Sequence, residues 1–123
     1  MLQLRRAQKR MFAEAAERAF VGHLCAHLRA RGARLADGLA DEELASRVER
    51  GVARARSRGL TWSSSIATFV VLLFEVSPRF DEHPRIRAAL AGARPDERML
   101  ELDRWMTQAD WIEARRGDRG REA

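Results

Sequence analysis

Between Arg58 and Glu75 the chain carries no charged side chain, although one-third of its 123 residues are charged. Within that window a polar start, Thr61-Trp62-Ser63-Ser64-Ser65, gives way to the apolar run Ile66 to Phe74. Ile66, Phe69, Val70, Leu73 and Phe74 recur at the spacing of one helical face, while Val71, Leu72 and Val76 point elsewhere. A helix that is apolar on more than one side must be covered by several neighbours. The sequence therefore predicts an all-α fold, a compact single-domain bundle of four main helices plus one short helix around a central helix at about 61–76. The apolar run is too short to span a bilayer, which takes about 20 such residues.

The remaining segments read as that cover. From Leu4 to Arg31 the periodicity is helical, with Phe12, Ala16, Ala19, Phe20, His23, Leu24, His27 and Leu28 on one expected inward face, ending at Gly32. A second helix starts near Asp41 and runs to Arg58, acidic at its start and basic at its end. Leu44, Val48, Val52 and Ala55 form its inward stripe, and Gly51 on that stripe lets another helix come close. After Gly59, Leu60 is placed to fold back on Ala55, and Thr61 is the expected cap of the central helix. Pro78 ends that helix, Phe80 anchors the connection, and a short helix covers Pro84 to Leu90. Pro95 opens a last helix with Met99, Leu102, Trp105, Met106, Ala109 and Ile112 on one face. Residues 1–116 thus form the domain, and the charged stretch 117–123 reads as a disordered tail.

Charge is distributed unevenly: residues 1–62 hold 13 basic and 7 acidic side chains, whereas residues 63–123 hold 10 and 11. The single cysteine, Cys25, cannot form an internal disulfide, which fits a reducing, cytoplasmic setting. No apolar stretch follows the basic start in the manner of a signal peptide.

Catalytic signals are weak. His23 and His27 lie four apart, the spacing at which two imidazoles share a metal, with Asp81 or His83 the nearest choices for a third ligand. The glutamate of a metalloprotease helix is missing between them, so histidines at the edge of the core are the expectation, with no metal and no cofactor. Asp81, Glu82 and His83 have no nucleophile with an orienting partner, and no phosphate-binding glycine loop accompanies them. The chain reads as a non-enzyme. Arg47, Arg50, Arg54 and Arg58 could line a phosphate-binding face, which would make a nucleic-acid-binding module. Trp62, Leu100 and Trp111 fall off the principal stripes, and large apolar groups left outside a core mark partner surfaces.

Met1-Leu2-Gln3-Leu4-Arg5 with Gln8, then Phe20 and His27-Leu28-Arg29, then "VERGVARARSRGLT" from Val48 and "FVVLLFEVSPRFDEHP" from Phe69, form a recognisable pattern. Over residues 1–106 the chain resembles small helical proteins encoded beside type VI secretion components and their toxic cargo in Gram-negative bacteria. The resemblance implies an accessory chaperone or adaptor, or an immunity-type partner, acting on a secretion effector or spike component. It carries no catalytic residues. The reading that follows is a protein-interaction module meeting its partner through Trp62, Leu100 and Trp111, with no membrane partner.

Overall fold

The computed structural model describes the backbone of residues 2–120 and the side chains of residues 5–116. Among them are seven α-helices and no strand: α1 (Leu2–Arg31), α2 (Asp41–Ser57), α3 (Ser63–Glu75), α4 (Pro84–Ala91), α5 (Pro95–Leu100), α6 (Leu102–Trp105) and α7 (Gln108–Gly120). A single 3-10 turn, Phe80–Glu82, precedes α4.

The charge-free run is α3, and it is the hub. Helices α1, α2 and α5 all pack on it, as an element apolar on several sides requires. Phe69 and Val70 are fully buried, and the Phe69 ring meets that of Phe80 at a centroid separation of 5.0 Å and a tilt of 59°. The closest seam is with α2. A Cβ added at Gly51 would stand 3.0 Å from Leu73 Cδ1 and 3.4 Å from Val70 Cγ2, so the bare glycine sets that spacing. At the end of α2, Gly59 turns left-handed with φ 92°, and the Leu60 amide donates to Ala55 O at 3.2 Å. Leu60 is buried, so the fold-back onto Ala55 read from the sequence is present.

Thr61 does not cap α3. Trp62 occupies the cap position without a side-chain hydrogen bond, and the capping oxygens come from Asp96, 31 residues beyond Ser65. Asp96 accepts from the amides of Thr61 and Trp62 at 2.9 Å each, from Thr61 Oγ1 at 2.9 Å and from the Ser65 hydroxyl. Burial pushes this carboxyl up, but the bonds from Ser65, Trp62 and Thr61 outweigh burial and hold it below the usual carboxylate range. An anion at the start of α3 also complements the helix dipole.

The expected last helix is three pieces. It breaks at Glu101 and again at Met106-Thr107, where Thr107 and Asp110 exchange hydrogen bonds of 2.9 and 3.1 Å that start α7. Met99, Leu102, Met106 and Ala114 are all buried across these breaks. Ile112, expected inward, is exposed. Helix α7 continues through Gly120; the rest of the tail expected to be disordered, 121–123, lies outside the described residues.

Helix α1 is as long as expected but is turned differently. Val21, Leu24 and Leu28 are its buried stripe, whereas Phe12, Ala16, Ala19, His23 and His27 are exposed. Stepping back along the same stripe gives Glu17, Glu14, Arg10 and Arg6, all charged. With nothing apolar to bury there, every residue from 5 to 16 is exposed and the first half of α1 overhangs the bundle. The Glu17–Arg56 bridge, 2.8 Å to α2, marks where the bundle begins.

Candidate functional site

Two of the three apolar residues singled out by the sequence meet in one place. Leu100 on α5 and Trp111 on α7 line a groove of about 340 Å³ along the flank of α3, with Ala67 and Val71 also lining it. Its α1 side is His27 and Arg31; Arg31 is held by Glu75 through bonds of 2.5 and 3.0 Å. Leu100 is 46% exposed. Trp111, expected to stand free, is half-buried and packs against the core, so it forms part of the groove's body and not a projecting anchor. Trp62 is 47% exposed at the start of α3 and does not line this groove.

The four arginines proposed as a basic face have other occupations. Arg47 Nε bonds Glu43 at 3.0 Å, one helical turn away. Arg54 and Arg58 both direct Nε at Asp81 Oδ2, at 2.8 and 2.9 Å, and Arg54 also approaches Glu82 at 3.6 Å. Asp81 is fully buried, so this pair of cations ties α2 to the turn before α4. Arg50 alone of the four has no carboxylate partner among the described residues.

The histidine pair does not assemble a metal site. His23 and His27 are exposed, Asp81 is taken by the two arginines, and His83 lies at the start of α4. Among the described residues, one group of potential ligands does come together: His83, Asp110 and Glu113, whose ligand atoms lie within 4.8 Å of one another. Its hydrogen bonds speak against a cation. His83 Nδ1 accepts from the Arg85 amide at 3.3 Å, so the proton of a neutral ring sits on Nε2, which faces Glu113 Oε2 at 3.1 Å. A ring capping a helix in this way has no free lone pair for a metal. Asp110 is similarly committed, accepting from the Thr107 amide at 2.9 Å and bonding Arg85 at 2.5 Å. The Thr107 amide foremost, with help from the Thr107 hydroxyl and Arg85, lowers the Asp110 carboxyl below its ordinary value. Burial pushes the Cys25 thiol above its ordinary value.

No protein-family model, curated protein or solved structure matches this chain.

The two most exposed of the large apolar side chains are not among those that the sequence reading placed at a partner surface, and Phe12 was expected inward. Met11 and Phe12, on the overhanging half of α1, are 68% and 74% exposed. The signal was present: charged residues at 6, 10, 14 and 17 occupy the stripe that Val21, Leu24 and Leu28 bury. No helix of the described residues is long and apolar enough to cross a membrane.

Proposed function

We propose that this chain is a non-enzymatic protein-interaction module whose partner docks in the groove along α3. The observation that carries this reading is the exposure of Leu100, which stands half free beside half-buried Trp111 on the open flank of α3, in a groove whose lining is polar as well as apolar. Its polar margin, with Arg31, Glu75, His27 and Asp103, suits a helical segment with an apolar face, charged groups at the rim giving orientation more than affinity. The resemblance described above makes a type VI secretion effector or spike component the first partner to try, with the chain acting in the cytoplasm as chaperone, adaptor or immunity-type partner. Leu100→Glu tests it without disturbing the core. Co-purification with an effector encoded beside this chain should fall at least about tenfold, the scale of losing one apolar anchor. Undiminished recovery would remove the groove from consideration.

The rival is a nucleic-acid-binding module using Arg47, Arg50, Arg54 and Arg58. Three of these already neutralise carboxylates within the fold, which reduces what they can offer a phosphate. Duplex DNA titrated at two salt concentrations separates the readings, because phosphate binding weakens steeply with salt. Tight, salt-sensitive binding that is lost in Arg50→Ala would favour the rival.

A further inference from the structure

One ridge of α2 is cationic and stands beside a hydrocarbon wall. Arg47, Arg50 and Arg54 follow one another three and four residues apart, so they share one face of the helix. They line a groove of about 450 Å³ whose opposite wall is Leu35 in the connection before α2, Leu73 and Phe74 at the end of α3, and Pro78 just beyond it. Gly51 lies between the arginines in sequence, lines the same groove and has no side chain to fill it. A Cβ there would meet Leu73 Cδ1 at 3.0 Å. A concave site with an apolar wall and a few placed charges is the usual form of a small-molecule site.

The charge at this groove calls for an anion. Arg50 is exposed and has no carboxylate partner among the described residues, and its neighbours on the ridge are both cations, an unfavourable spacing for like charges on a helix. An anion seated at Arg50 relieves that repulsion. Glu43, the one acid of the lining among the described residues, is engaged by Arg47 at 3.0 Å and lies seven residues before Arg50, about 10 Å along the axis. What the lining lacks narrows the ligand further. Among the described residues it holds no hydroxyl or amide side chain, Pro78 has no N–H, and the Leu35 amide is spent on Phe74 O at 3.0 Å. Hydrogen-bonding groups spread along a ligand would go unmet there, whereas a plain hydrocarbon needs no partner.

We infer that this groove binds a medium-chain fatty acid, with its carboxylate on Arg50 and its tail across Gly51 against Leu73 and Pro78. Arginine suits such a head, because its planar fork takes a carboxylate through two parallel bonds. A polypeptide end brings the same carboxylate but also backbone amides that this wall does not answer. Duplex DNA would use Arg50 too, yet it has no use for the apolar wall, so dependence on tail length separates the two. The groove shares no lining residue with the one at Leu100, so the inference does not rest on the proposed function.

The test is calorimetric titration of the full chain with hexanoate, octanoate and decanoate, each kept below its micelle concentration. Affinity should rise about fourfold for each added pair of methylenes, the gain from half-burying them. Arg50→Gln, at an exposed site, should weaken decanoate binding at least about tenfold, the scale of one charge-assisted hydrogen bond, while keeping the helical signal and urea midpoint of the parent chain. Acetate and inorganic phosphate should show no saturable binding. A chain that takes up no decanoate saturably overturns the inference, as does uptake that is unchanged in Arg50→Gln or indifferent to tail length. Acetate or phosphate bound as tightly as decanoate would make the ridge a plain anion contact and overturn it. A hexapeptide with a free, apolar C-terminal residue that binds more tightly than decanoate would assign the groove to a polypeptide end and overturn it equally.

Discussion

The bundle is built in two manners. From α1 to α3 it consists of long helices whose apolar stripes interdigitate, with Gly51 setting the spacing of α2 and α3. From the 3-10 turn onward it consists of three helices of four to eight residues followed by α7, tied in by three carboxylates: Asp81 holds Arg54 and Arg58, Asp96 holds the start of α3, and Asp110 holds Thr107 and Arg85. Helices of four to eight residues cannot sustain themselves in water, so their places are fixed by charge-assisted hydrogen bonds as well as by burial. The contrast teaches that an apolar pattern fixes long elements, while short ones need polar contacts made at a distance in sequence.

Phe69→Ala should do the greatest harm, since it removes a fully buried ring that joins α3 to Phe80. A loss of about 3–5 kcal/mol is expected, measured by urea unfolding; a loss below about 1 kcal/mol would mean the apolar half is not what holds the fold. Asp96→Ala should follow at about 1.5–3 kcal/mol, because it strips acceptors from two backbone amides and two hydroxyls. If Asp96→Ala proved harmless, the distinction between the two regions would collapse. Gly51→Leu should cost about 1–3 kcal/mol by forcing α2 from α3.

Acid should act on the second region. The carboxyls of Asp96 and Asp110 titrate lower in the folded chain than their unfolded value near 3.9. Their stabilisation is therefore complete above that value and disappears as pH falls through the lowered folded values. Melting temperature should drop below pH about 4, and less steeply in Asp96→Asn. Equal slopes in the two proteins would refute a role for this carboxylate. The smallest effect belongs to the overhang: Phe12→Ala, at a site 74% exposed, should alter stability by no more than about 0.5 kcal/mol.

These two manners of construction also set what the sequence disclosed. The hub was legible because a charge-free run stands out in a charged chain, and Gly51 and Leu60 were legible because their roles follow from neighbours a few residues away. The inward face of α1 was misjudged: Phe12, Ala16, Ala19 and His23 form a regular stripe of their own, and periodicity alone does not say which of two stripes faces the bundle. The unity of the last helix was also misjudged, although Thr107 and Asp110 stand three apart as a helix start would have them. Asp96 at the head of α3 and Asp81 between two arginines could not be read at all, since their partners are 31 and 27 residues away. For the candidate site, the exposure of Leu100 was legible, Trp111 lies deeper than expected, and the overhang was missed for the same reason as the stripe.

The buried stripe of α1 and the apolar side chains of its overhang are locked in phase by nothing more than the number of residues between them. One residue inserted near Ala16 would swing Met11 about 100° around the axis while leaving Val21, Leu24 and Leu28 in the bundle. Such a chain would fold as before, with its projecting arm along the same axis but a different face turned to any given side.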